Sequence, residues 1–265
     1  MIGMKKIIAI LCAVLFVLSL AACQKPAAEP AEAAPAAEAA PAPEADAPAE
    51  EPAEEAAPAV MSYAEYIAAD LDTPVVVETY VQDKQSWWDN KVTVYTEDED
   101  GAYFLYNMAC SEEDNALLVP GTKIKVSGFK SEWAGEVEIV DATFEIEEGS
   151  YIAEPVDVTD LLGTDELIAH QNQLVEFKGM TVEDYGDGKA FAYKNEADKT
   201  DDLYFKVSKD GQVYEFCVEF YLRGQDTDVY KAVEALQIGD VVDLEGFLYW
   251  YEGANPHIIS VKPAA

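Results

Sequence analysis

Eight positions in this chain recur at a constant spacing. Leu118, Gly121, Ile124, Val126, Gly128, Phe129, Trp133 and Gly135 return 118 residues later as Leu236, Gly239, Val242, Leu244, Gly246, Phe247, Tyr251 and Gly253. Glycine meets glycine at Gly121/Gly239, Gly128/Gly246 and Gly135/Gly253, and the apolar and aromatic positions between them keep their type. Such a pattern means one structural unit built twice. Inside each copy the apolar residues alternate. In Thr122-Lys123-Ile124-Lys125-Val126, Ile124 and Val126 face inward and the lysines outward; Leu203, Phe205 and Val207 do the same, with Tyr204 and Lys206 outward. Asp100-Gly101 and Asp210-Gly211 each separate two such runs and read as hairpin turns. Short alternating strands with turn signals between them specify a sandwich or a barrel.

The order of elements narrows the choice. In the first copy strands are expected near 75–82, 91–96, 102–108, 122–129 and 136–146, with a helix over 111–119 that Ser111 and Asp114 open and Pro120 stops. The second copy repeats the order, with a longer insertion around 183–202 and a helix from about Asp228 to Ile238 closed by Gly239. A helix between strands three and four is the order of the oligonucleotide/oligosaccharide-binding (OB) fold, a five-stranded Greek-key barrel. The fold class is therefore all-β with short helices, as two tandem OB-fold-like barrels: residues 61–150, then 151–265 with an N-terminal helical linker over 157–170. Ser62 and Glu65 form a capping box for a short helix to about Ala69.

The N-terminus sets the address. Lys5 and Lys6 precede an apolar run from Ile7 to about Ser19, too short for the roughly 20 residues that cross a hydrocarbon core. Leu20-Ala21-Ala22-Cys23 follows, so the start of the chain resembles a bacterial lipoprotein precursor: signal peptide 1–22, then a lipobox. That resemblance implies that Cys23 is diacylated and anchors the protein to the cell membrane on its extracytoplasmic side. Residues 24–60 are almost wholly Ala, Pro and Glu, with eight prolines and no aromatic. Such a stretch cannot bury enough apolar surface to offset chain entropy and is expected to be a disordered tether reaching roughly 100 Å.

The remaining head holds 43 of the 52 acids and 14 of the 17 bases, a net charge of −29. A field of that sign repels phosphate backbones and attracts cations or basic partners. With Cys12 in the signal and Cys23 lipidated, only Cys110 and Cys217 remain, and two free thiols are expected.

The head resembles the tandem OB-fold lipoproteins of gut-dwelling Gram-positive bacteria, a family without an established activity. The resemblance rests on Ser86-Trp87-Trp88-Asp89, Asp100-Gly101-Ala102-Tyr103, Pro120-Gly121-Thr122-Lys123 and Gly246-Phe247-Leu248-Tyr249-Trp250-Tyr251. OB barrels bind through strands two and three and the loops joining strands 1–2 and 4–5. Trp87 and Trp88 fall in the first barrel's 1–2 loop and Trp133 in its 4–5 loop, and Tyr249, Trp250 and Tyr251 in the second barrel's 4–5 loop. These six rings are the expected ligand site, for a glycan, a peptide or a cationic group. The competing expectation is that they cap the barrels or join them, the head then being an assembly protein docking an envelope partner, such as a basic protein. Nucleic acid, the third reading, needs a basic groove; Lys123, Lys125 and Lys130 are the one small basic cluster beside the loops. No nucleophile elbow, phosphate loop or histidine-rich metal motif occurs, so no enzyme activity, cofactor or metal is expected. Asp98, Asp100 and Gly101 match only part of a calcium loop and read as a turn.

Overall fold

The computed structural model describes residues 59–264 apart from residue 198. The signal segment, Cys23 and the linker up to residue 58 lie outside the described residues. Among those described, no helix is long and apolar enough to cross a membrane.

The first barrel is built from β1 (Pro74–Lys84), β2 (Lys91–Glu97), β3 (Ala102–Ala109), β4 (Thr122–Trp133) and β5 (Glu136–Ser150). They close in the order β1-β2-β3-β5-β4, with β1 antiparallel to β4 and β3 parallel to β5. Alternation along the strands sends Val75, Val77, Val92, Val94, Ile124 and Val126 inward, all essentially buried. Helix α1 (Tyr63–Ala68) opens on the expected capping box, Ser62 and Glu65 each satisfying the other's main-chain N–H. Lys130 fastens the other end of α1: its ammonium, itself buried, donates to the carbonyls of Tyr66, Ile67 and Ala69 at 3.0, 2.7 and 2.8 Å. Between β3 and β4 lies α2 (Glu112–Leu117), whose N-cap Ser111 accepts from the Asp114 N–H at 3.0 Å.

The second barrel has the same plan. A two-residue strand, β6 (Val156–Asp157), runs parallel to β7 (Leu174–Val182). The insertion contributes β8 (Phe191–Tyr193), which extends the sheet beside β9 (Leu203–Lys209). β7, β9, β10 (Gln212–Val218), β12 (His257–Pro263) and β11 (Val241–Phe247) then close in a ring through the β7–β9 and β10–β12 pairings. Helix α3 (Asp228–Glu234) sits between β10 and β11, where the fold requires it. Phe177, Phe205, Phe216, Tyr230 and Leu244 fill this barrel.

The structure corrects several expectations. Residues 157–170 do not form a linking helix: β6 leads into two 3₁₀ turns, Thr159–Leu161 and Asp165–His170. Gly163 between them takes φ +77°, which interrupts any continuous helix. Helix α3 ends at Glu234, short of Ile238, and Gly239 serves instead as a left-handed turn entering β11. Trp133 is the last residue of β4, paired with Glu136, so the first barrel's 4–5 loop shrinks to Ala134-Gly135.

The lysine cluster also dissolves. Lys123 is held by Glu78 and Glu147 at 2.6 and 2.9 Å, and Lys130 is spent on α1. Cys110 and Cys217 are free and buried.

Candidate functional site

The two barrels meet along an aromatic seam. Tyr95 on β2 stacks on Phe247 at the end of β11, with centroids 4.4 Å apart and planes at 20°. Phe104 on β3 meets Tyr249 edge-on, and Tyr249 in turn stacks on His257, again at 4.4 Å. Tyr95, Phe104, Leu222 and Phe247 are all buried there. The Tyr95 hydroxyl shares a hydrogen bond with His257 Nδ1 at 2.6 Å. Burial pulls the His257 imidazole down to about 4, so the ring is neutral near pH 7.

Polar bonds stitch the rim of the seam. Glu97 accepts from the Leu174 N–H and Glu136 from the Trp250 N–H, both at 2.8 Å. Gln171 donates to the Gly135 carbonyl and Asn172 to that of Val137. Among the described residues no base forms an ion pair with these acids, and burial pushes Glu136 up to about 8 and Glu97, Glu138 and Glu219 each up to about 7. Glu136 Oε1 and Asn172 Oδ1 are both buried acceptors without a donor.

One side of the seam opens into a cleft of about 560 Å³ lined by Gln85, Ser86, Trp88, Tyr106, Asn107 and Tyr221. The β1–β2 hairpin closes through Asp89-Asn90, both at positive φ (47° and 57°), the signature of a type I′ turn, and Trp88 pairs with Lys91 across it. Tyr106 follows Phe104 on the outer face of β3; barrel two covers Phe104 and leaves Tyr106 open. Asn107, at φ +50°, sits where the β2–β3 register shifts, its N–H donating to Thr93 Oγ1 at 3.1 Å. Such bulges re-aim neighbouring side chains. Tyr221 comes from barrel two, on a turn after β10 that Glu219 folds by accepting from the Tyr221 and Leu222 N–H groups at 3.0 and 2.8 Å. Ser86 holds this turn against barrel one, its N–H donating to the Tyr221 carbonyl at 2.8 Å, and Arg223 pairs with Asp83 beside it. Trp88, Tyr106 and Tyr221 remain 56, 46 and 60 % exposed, large values for aromatic rings gathered at one cleft.

The six rings named from the sequence separate. Trp88 lines the cleft. Trp87 packs on the first barrel's core and its indole N–H donates to the Cys110 carbonyl at 2.8 Å. Tyr249 is part of the seam, and Trp250 packs on the second core with its ring against Gly135. Trp133 and Tyr251 are exposed on neighbouring hairpins joined by a bond from the Glu252 N–H to the Ala134 carbonyl, and neither lines the cleft.

Tyr106 was legible in principle, two residues beyond Phe104 on the outer face of a binding strand. Nothing in the local sequence marks Tyr221, because only the docking of the barrels brings it to Trp88.

No family model matches the chain, and no curated protein does. Solved structures similar to it include a murine DNA binding protein bound with dsDNA, at 11 % identity and TM-score 0.36, covering 72 % of this chain and 100 % of that one. Another is the p204 HINb domain, at 11 % identity and TM-score 0.33, covering 71 % and 98 %. A Replication Protein A heterotrimer bound to ssDNA matches at 10 % identity and TM-score 0.29, covering 71 % and 49 %. The tandem OB assignment for this chain stands on its own strand order, repeated in both barrels.

Proposed function

We propose that this chain is a non-catalytic binding protein whose ligand sits in the cleft between its two OB barrels, and that Cys23 carries the lipid that holds it outside the cytoplasm. One observation supports the site above the rest: three half-open aromatic rings from both barrels line one 560 Å³ cleft. That volume lies within the range of small-ligand sites, and aromatic walls with a few amides and a hydroxyl are their usual lining. Both faces of the cleft are held by main-chain bonds, so it is formed before ligand arrives. Preformed sites lose less freedom on binding.

The rival class is nucleic acid, which the DNA- and ssDNA-bound similar structures bring to mind. Binding to a phosphate backbone draws on released counterions and needs lysines or arginines along the groove. The cleft lining has none, Arg223 beside it is paired with Asp83, and the head carries −29.

The deciding experiment compares the parent chain with Trp88→Ala and Tyr221→Ala on a glycan and peptide array and in an oligonucleotide titration at low salt. Both variants are expected to keep the parent's thermal stability, as exposed side chains change it by less than about 0.5 kcal/mol, and to lose the array signal. Binding of oligonucleotide with a steep salt dependence decides for the rival.

A further inference from the structure

We infer that the ligand is a linear, uncharged glycan lying across Tyr106, with sugars seated on both sides of that ring; the inference rests on the cleft being the binding site. A second hollow of about 430 Å³ adjoins the cleft on the outer face of barrel one and is lined by Lys91, Ala109, Val140, Asp141 and Thr143. The two hollows share Tyr106 and Asn107. A ligand confined to one ring would leave half of this track unused, whereas a chain crossing Tyr106 occupies both.

The chemistry of the walls selects the class. The cleft has no lysine, arginine or carboxylate in its lining, and the second hollow holds one of each sign, Lys91 and Asp141. A polyanion finds no row of cations and meets a head of −29. A cation finds aromatic faces but no carboxylate aimed at it, since Glu219 is turned to main-chain N–H groups and to Gln85. A peptide cannot add as a strand, because barrel one is closed and has no free edge.

An extended proline-rich peptide suits aromatic grooves, but it offers mainly acceptors. The track sets acceptors, the Asp141 carboxylate, the Asn107 side-chain oxygen and Ser86 Oγ (whose own O–H goes to the Tyr221 carbonyl at 3.1 Å), beside donors at Lys91, the Asn107 amide and the Thr143 hydroxyl, so a ligand of acceptors alone leaves half of it unmatched. Sugar hydroxyls donate and accept, and sugar faces stack on exposed rings.

Calorimetric titration of the full chain with uncharged linear gluco-, manno- and xylo-oligosaccharides of one to six sugars tests this. A proline-rich decapeptide and oligo-dT serve as comparison probes. For the sugar series that binds, affinity is expected to rise at least about tenfold between one and three sugars and then level off, the gain corresponding to one further stacked ring. Tyr106→Ala, which removes a wall shared by both hollows, is expected to weaken single-sugar binding and to abolish that gain, and Trp88→Ala to remove binding at every length. Length-independent affinity, or tighter binding of the decapeptide or of oligo-dT that Trp88→Ala removes, overturns the glycan assignment and leaves the cleft standing. If no probe binds, or if binding survives Trp88→Ala unchanged, the glycan assignment and the cleft fall together.

Discussion

Replacing Gly246 by alanine asks why the repeat keeps its glycines. Gly246 lies at a break in the β11–β12 register. A Cβ built there overlaps the His257 carbonyl oxygen and stands 2.9 Å from both the His257 carbonyl carbon and Ile258 Cα. Carbon atoms rest about 3.5 Å apart, so β12 must retreat by roughly 0.6 Å. That strand carries Ile258 into the second core and His257 into the seam, so the displacement reaches both. Overpacking by one methyl typically costs about 1–3 kcal/mol, and here main chain rather than a rotatable side chain has to yield. About 3 kcal/mol is expected, a fall in Tm of roughly 6–12 °C for a body of this size.

Its repeat partner, Gly128→Ala, meets Ile139 Cγ2 at 2.7 Å and the Val140 carbonyl oxygen at 2.8 Å. One of those neighbours can rotate, so about 2 kcal/mol is expected. The control is Gly239→Ala, at φ +92° with nothing within 4 Å of the added carbon; only the left-handed backbone is penalised, by about 1 kcal/mol. Differential scanning calorimetry of the three variants ranks them. A Gly246→Ala protein within about 1 °C of the parent, or one no worse than Gly239→Ala, refutes the close-approach argument.

Stability should depend on pH through the seam. Glu97, Glu136, Glu138 and Glu219 have carboxyls raised above their ordinary 4.5, to about 7 or 8, so their contribution is fully present below pH 4.5 and is lost as pH rises through 7 to 8. His257, lowered to about 4, acts oppositely: its contribution is present above 6.5 and lost as pH falls through 4. With four carboxyls against one imidazole, Tm is expected to peak near pH 5 and to fall toward pH 8, each carboxyl contributing on the order of 1 kcal/mol per pH unit. Glu136→Gln should flatten that slope and raise Tm at pH 8; a parent protein more stable at pH 8 than at pH 5 contradicts the reasoning. Lys130→Met removes three bonds to the end of α1 and is expected to cost about 2–3 kcal/mol, with hydrogen exchange accelerated over residues 63–69. Unchanged protection there would show that α1 is held by Tyr66 packing instead.

Much of the fold was legible because it is local or periodic. Alternation in Thr122–Val126 and Leu203–Val207 pointed the same side chains inward that the barrels bury, since the two-residue period of a strand leaves no other arrangement. The Ser62/Glu65 capping box, the Ser111 N-cap and the Asp-Gly turns are bonds between residues three or four apart, and they form as read. Residues 157–170 take 3₁₀ turns in place of the expected linking helix, because the parallel pairing of β6 with β7 and the glycine at 163 are set by the barrel they join.

The candidate site was only half legible, and for one reason. Trp88 is placed by its own hairpin, a property of six or seven adjacent residues. Whether Phe104 is buried and Tyr106 open, whether Tyr249 faces solvent or His257, and whether Tyr221 reaches Trp88 all depend on how barrel one seats on barrel two. The amino-acid sequence by itself determined two β-barrels of one plan, because strand period and repeated glycines act within each copy. Which outward rings became glue and which remained a wall was decided only by the tertiary structure, because that choice is made by surface burial between segments more than a hundred residues apart.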